Sequence, residues 1–467
     1  RMEKYLVKTP KDPPWELSAR CSHHRWQRYL TEVNGRLDPQ YRCRLSSLLI
    51  QSYSQAGILP HLYNDASGLP CETHANQTGV RSCLRQGVSS LEFDNKGIYL
   101  ASVTKSGCLT IHDFESLHKE VNGNTLEQGD IVIQDEPVLH ISLGQQLDHV
   151  SWNPLNQDEV ACASSKSHEV SIFDISYDSS EPIQTLKSRR EVSVHGTEVH
   201  KGLTSVTFAP SDELRLFACN TNGTVDMWDR RISSLPCLNL TTNLRCALNT
   251  IQVNGDNQEV ISAGRNGIIH IWDLRGGRSS SAFQSHKQAC YSPITSFKLS
   301  LLLEKIYTLK AQVDIVSREV HAITFNPSHS FQLAFHLDNG WSGVFDMLRS
   351  QVTHVHCPPP AWLNGSDGPV DHFCLRKPSW LLTHSCFVVG SASENGIHFL
   401  DFHAGRRSPC HVDYREESPT GSQYKRNRFL PLSEAVTACA THPLTETIIA
   451  GSKSSSLLMV SQRRSSD

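Results

Sequence analysis

The sequence predicts an all-β fold, a seven-bladed propeller with a short helical extension in front of it. Three observations carry this: a strand–strand–turn–strand unit that recurs along most of the chain, Asn-Gly turns inside the units, and an acidic residue that closes most of them. The chain has 467 residues, and no composition break divides it into comparable halves. With 38% hydrophobic and 19% charged residues it has enough apolar material for a packed core.

The units begin at Val88–Phe114 and Leu147–Ile175, which end in His112-Asp113 and Phe173-Asp174. The clearest copies follow, Gly202–Arg231 and Ala247–Arg275, both closed by Trp-Asp at Trp228-Asp229 and Trp272-Asp273. Further copies span Val320–Met347, His372–Phe402 and Ala435–Gln462, and the last lacks the terminal Asp. The closing acids fall at Asp113, Asp174, Asp229, Asp273, Asp346 and Asp401, so insertions separate units whose internal length is nearly constant.

The case for strands does not rest on the closing dipeptide. Asn222-Gly223, Asn266-Gly267, Asn339-Gly340 and Asn395-Gly396 supply the positive φ of a tight β-turn. Beyond such a turn, residues alternate between apolar and mixed, as in Thr224-Val225-Asp226-Met227-Trp228. A sheet of three or four short strands cannot bury both faces alone, so the units stack and close into a ring.

These residues resemble the WD40-repeat family, whose members are propellers. The resemblance covers about residues 88–462; it departs from the family where the Gly-His dipeptide is missing and where Asn replaces the usual turn Asp. The division expected is an N-terminal extension, residues 1–86, with one or two helices, and a propeller over 87–464.

In the extension, Cys21–Val33 and Tyr41–Ala56 read as helices, the second started by Asp38-Pro39 and ended by Gly57. Leu45, Leu48, Leu49 and Ser52 share one face, which packs on the propeller's own edge or on a partner. Phe297–Val313 reads as a helix or as two strands. Cys357–Pro360 and Glu416–Asn427 read as surface loops, and the basic cluster Lys425, Arg426, Arg428 as a solvated loop or a weak nuclear signal.

Net charge of -3 gives no global attraction to nucleic acid or an anionic membrane, and neither contact is expected. There is no long apolar run, and the opening Arg1–Trp15 has no apolar h-region, so the expectation is neither a secreted nor a membrane-spanning protein. The cysteines are odd in number, fifteen, and lie singly on apolar strands, as with Cys162, Cys219 and Cys439; they read as reduced core thiols.

No P-loop, Gly-x-Ser-x-Gly elbow or His-Glu-x-x-His is present, so no enzyme is expected. His354, His356 and Cys357 are close in sequence, but no Cys-x-x-Cys completes a tetrahedral zinc set; neither a metal nor a cofactor is expected. Enzymatic propellers would need titratable residues of several blades converging in the central channel.

One motif narrows the function. Both Trp-Asp units place an arginine two positions after the Asp: Trp228-Asp229-Arg230-Arg231 and Trp272-Asp273-Leu274-Arg275. The Asp caps the turn through backbone N–H groups, and the arginine projects from one rim as a planar multi-donor cation. Successive blades carrying Trp-Asp-x-Arg boxes resemble the substrate receptors of cullin-4 ubiquitin ligases. That resemblance implies a non-catalytic receptor in the nucleus or also the cytoplasm, working in ubiquitin conjugation. Its partners would be the ligase's adaptor, damage-specific DNA-binding protein 1, and a substrate protein. It implies a partner face made of Asp229, Arg231, Asp273 and Arg275, joined by Leu45, Leu48 and Leu49 of the N-terminal helix. Two alternatives remain open: the arginines pair with a neighbouring blade's acid, and the chain is a scaffold of another complex.

Overall fold

In the computed structural model the described residues form seven four-stranded antiparallel meanders arranged as blades around a central channel; two of them gain a fifth, parallel edge strand, Ala289–Tyr291 and His411–Asp413, and Glu191–Val192 pairs separately with Glu198–Val199. The structure describes residues 39–60, 87–123 and 137–462, apart from 178, 190, 193–197, 200–201, 243, 256–257, 276–288, 311–318, 328, 359–374, 383–384, 403–409 and 414–426. The expected helix at Cys21–Val33 lies outside the described residues.

In each blade the strands run a to d from the channel outward. Blade 1 is Val88–Phe93, Tyr99–Thr104, Cys108–Asp113 and Leu139–Ser142; blade 2 is His149–Trp152, Glu159–Ala163, Glu169–Asp174 and Gln184–Lys187. Blade 3 is Leu203–Ala209, Asp212–Asn220, Thr224–Asp229 and Leu238–Thr241, and blade 4 is Leu248–Val253, Glu259–Gly264, Ile268–Asp273 and Thr295–Lys298. Blade 5 is Val320–Asn326, His329–Leu337, Ser342–Asp346 and Gln351–His356, and blade 6 is Ser379–Trp380, Cys386–Gly390, Gly396–Asp401 and Arg428–Pro431. The recurring units are strands a to c of these blades.

Blade 7 closes the ring with both ends of the chain. Val436–Thr441, Ile448–Ser452 and Ser456–Gln462 are its strands a to c, and Tyr53–Pro60 pairs as strand d, with Tyr53 opposite Gln462. The propeller therefore takes a strand from the segment that sequence reasoning gave to the extension. This also corrects the helix. Helix α1 is Pro39–Ser52 and does not reach Ala56. Gly57 is no helix stop but sits beside a register shift in strand d, where a Cβ would come within 2.7 Å of Val121.

The apolar alternation is spent between blades. Each hydrophobic cluster of the described residues spans two consecutive blades: for example, Val170, Ile172 and Leu186 of blade 2 pack with Val206, Leu216 and Trp228 of blade 3. Trp272 does the same between blades 3 and 4. Around the ring, each sheet thus buries its two faces against two neighbours.

The turns behave as their residues dictate. Gly223 has φ 86, and a Cβ there would lie 2.2 Å from the Leu244 carbonyl oxygen, so Asn222-Gly223 cannot be exchanged for an ordinary pair. Asp113, Asp174, Asp229, Asp273 and Asp346 each accept a backbone N–H two or three residues on, the capping role expected of the closing acid.

Two further helices were less legible. Helix α2, Phe114–Gly123, follows strand c of blade 1 and buries Phe114, Leu117 and Val121 where blade 7 meets blade 1. Phe297 ends in strand d of blade 4, followed by helix α3, Leu299–Glu304, and a single tight turn, Tyr307–Leu309. The cysteines Cys162, Cys219 and Cys439 are free and buried, and burial pushes the last two thiols up to about 12. No helix among the described residues is long and apolar enough to cross a membrane.

Candidate functional site

The antiparallel meander fixes which groups share a face. In every blade the a–b and c–d connections emerge at one end, and the b–c and d–a connections at the other. Asp229 and Asp273 end strands c, so Arg231 and Arg275 lie on the a–b/c–d face. Tyr53 starts strand d of blade 7 opposite the end of strand c, so α1, which runs into it, lies on that face as well.

Arg231 is held by acids of its own blade. Its Nε donates to Asp229 Oδ1 at 2.8 Å, and its Nη2 to Asp229 Oδ2 at 2.7 Å and Asp212 Oδ2 at 2.9 Å. The hydrogen bond from Arg231 holds the Asp229 carboxyl below the usual carboxylate range. Held in this way, the Arg231 side chain is still 49% exposed. Arg275 is freer: its Nε reaches Asp273 Oδ1 at 3.2 Å, and its side chain is 61% exposed.

The arginine that pairs with a neighbouring blade is the one between, Arg230. It meets Glu159 of blade 2 at two points, 2.6 and 2.9 Å, and its Nε donates to Gln184 Oε1 at 2.6 Å. No sequence signal marked it, because Glu159 opens a strand of another unit.

Helix α1 divides the three leucines expected on a partner. Leu45 and Leu49 are buried, with Leu49, Ile50 and Tyr53 packed among Leu381, Phe399 and Leu430 of blade 6 and Ile448 of blade 7. Only Leu48 is presented outward, 56% exposed. Ser46, Ser47 and Ile50 are buried beside Leu45 and Leu49, so of positions 45 to 50 Leu48 alone faces outward. The helix is anchored at its end by Arg428, whose Nη1 donates to the carbonyls of Ile50 at 2.7 Å and Tyr53 at 2.9 Å. Arg428 thus opens strand d of blade 6; it is not part of a solvated basic loop, and Lys425 and Arg426 lie outside the described residues.

Large apolar side chains are exposed in these same connections: Ile98, Leu155, Tyr177, Ile232, Leu348 and Leu444. The opposite face exposes Leu244, Leu301 and Tyr307. A face with exposed apolar groups, exposed guanidinium groups and a docked helix has the composition of a protein-contact surface.

The central channel holds a cavity of about 470 Å³ lined by residues of several blades, among them Glu92, His149, His321 and Lys377. Burial pushes Glu92 up to about 8 and Lys377 down to about 7. Both are engaged by blade 2: Glu92 Oε2 accepts the Trp152 N–H at 3.1 Å, and Lys377 Nζ donates to the Asp148 carbonyl at 2.7 Å. Lys377 thus ties blade 6 to blade 2 across the channel, and Glu92 ties blade 1 to its neighbour.

No protein-family model matches the chain. The chain is similar to the E3 ubiquitin-protein ligase COP1 of Arabidopsis thaliana, 26% identical over 205 residues, which are 43% of this chain and 26% of that protein. It spans about a quarter of the length of that relative. The seven blades together with this similarity support a WD-repeat propeller, and they fit a protein-binding scaffold or a ubiquitin-ligase receptor.

Proposed function

We propose that the chain is a non-catalytic substrate receptor of a cullin-4 ubiquitin ligase that docks on damage-specific DNA-binding protein 1 through its a–b/c–d face. The observation that carries this reading is the convergence on one face of both Trp-Asp-x-Arg arginines, helix α1 and a set of exposed apolar side chains. The similarity to an E3 ligase supports it at the level of the pathway. Asp212 and Asp229 preorient Arg231, so little side-chain entropy is lost when its solvent-facing side meets a partner's carbonyls or carboxylates. The opposite face is left for the substrate, ubiquitin is transferred by other subunits, and the protein works in the nucleus.

A second reading, a scaffold in another complex, is favoured by the same ion pairs. Arg231 already has its charge balanced inside blade 3 and would then serve that blade alone. Capture of the adaptor from cell extract separates the two readings. The receptor reading expects capture by the wild-type chain and loss with the Arg231→Ala, Arg275→Ala double substitution; the scaffold reading expects no adaptor with either.

A further inference from the structure

Blade 5, like blade 3 with Ala289–Tyr291, carries a fifth strand that the repeat does not call for. His411–Asp413, from the connection between strands c and d of blade 6, lies parallel to Gln351–His356, with His354 opposite His411 and His356 opposite Asp413. Among the described residues one further bond extends this short pairing, from the Cys357 N–H to the Asp413 carbonyl at 2.7 Å. A parallel ladder of this length at a sheet edge has little backbone hydrogen bonding to hold it.

The side chains converge instead. His354 Nε2 lies 2.8 Å from Asp413 Oδ2, His411 Nε2 lies 2.5 Å from Asp413 Oδ1, and one donor atom from each of the three lies within 4.8 Å of the others. The His354 ring is buried with its centroid 4.9 Å from that of Phe402, so it cannot swing away. Asn427 fixes the carboxylate: its Nδ2 donates to Asp413 Oδ2 at 2.8 Å, while its Oδ1 accepts the Asp401 N–H at 3.0 Å. His411 is 39% exposed, which leaves one side of the cluster open to water.

We infer that His354, His411 and Asp413 form a binding site for a divalent transition-metal ion of the zinc class, which staples the fifth strand to blade 5. Two imidazole nitrogens and one carboxylate oxygen are a zinc donor set, whereas calcium and magnesium take oxygen ligands. The open side leaves the fourth position to water. On binding, each ring carries its proton on Nδ1, and the ion takes the place of the protons that now bridge each Nε2 and the carboxylate. Asn427 is a positioning residue that orients Asp413 from behind. Sequence reasoning stopped at His354, His356 and Cys357; the site draws only His354 from that trio and takes its other ligands from beyond position 400, where no local spacing announced them.

The test is a metal titration of the full chain, stripped with chelator and then given Zn²⁺ against a chromophoric competitor, with Co²⁺ in parallel. The expected result is one equivalent bound by the wild type, a rise in Tm on loading, and Co²⁺ d–d absorption without thiolate charge transfer. His411→Ala, at a half-exposed position, and Asp413→Asn lose that equivalent and the Tm rise while keeping the metal-free circular dichroism spectrum. Asn427→Ala weakens binding about tenfold to a hundredfold. No bound equivalent, or equal binding by wild type and both ligand variants, overturns the site; a shared charge-transfer band would assign the ion to cysteines elsewhere and overturn it equally.

Discussion

The Arg230 guanidinium and the Glu159 carboxylate meet at two points, 2.6 and 2.9 Å, across the boundary between blades 2 and 3. Both side chains are nearly buried, at 9% and 11% exposure. Removing one partner leaves the other charge in a site from which water is largely excluded. Arg230→Ala or Glu159→Ala therefore lowers stability by about 3 kcal/mol, read as a fall in urea midpoint. The double substitution costs less than the sum of the two, because neither charge is then stranded.

A second prediction concerns the way α1 is held. Arg428 donates to the Ile50 and Tyr53 carbonyls where the helix passes into the closing strand. Arg428→Ala costs about 2 kcal/mol, the range for hydrogen bonds from a charged donor. The loss is local. Amide exchange in residues 39–60 should rise well above that of blades 2 to 4, and unchanged protection there would contradict the anchoring role.

The closing strand predicts a truncation phenotype. Tyr53 packs its ring 4.9 Å from Phe399 and donates its hydroxyl hydrogen bond to the Glu446 carbonyl at 3.1 Å. Deleting residues 1–60 bares the edge of Ser456–Gln462, an unpaired strand open to pairing with another chain. The truncated chain should aggregate on expression, whereas deletion of 1–37 should leave it monodisperse by size-exclusion chromatography.

The repeat was legible because strands a to c of a blade are local in sequence, with the Asn-Gly turn and the closing Asp inside one short window. Strand d was not, since its short runs carry no turn signal of their own. In blade 7 no local pattern could have found it: Tyr53 and Glu446 lie 393 positions apart. The helical periodicity of Tyr41–Ala56 ran on past Ser52 for the same reason, as pairing with Gln462 and Ser461 claims those residues for a sheet. Of the candidate site, the Trp-Asp-x-Arg boxes were readable as motifs, but the division of labour between Arg230 and Arg231 depends on Glu159, Gln184 and Asp212 in other strands. Leu45 and Leu49 were legible as apolar, and only the packing says that the chain's own core consumes them.

Buried histidines give a pH dependence. His270 Nε2 and His398 Nδ1 are buried without a hydrogen-bond partner, and burial pulls both rings down to about 4. Between about 4 and the ordinary value near 6.5 the unfolded chain binds protons that the folded chain refuses, so stability falls as pH drops through that window, and the contribution of these rings levels off below about 4. Each ring costs about 2 kcal/mol at about pH 5. Tm should decline from about pH 6.5 downward, and His398→Leu should make the acid limb shallower.

Whether the a–b/c–d face is the docking surface is read from the affinity of the purified full chain for purified damage-specific DNA-binding protein 1. Saturable binding is expected, weakened at least about tenfold, or about 1.4 kcal/mol, when Arg231→Ala and Arg275→Ala are combined with Leu48→Asp. Tyr307→Ala, on the opposite face and 92% exposed, should leave the affinity unchanged. Absence of binding by a folded wild-type chain, or an equal loss from the Tyr307 substitution, would contradict docking through this face.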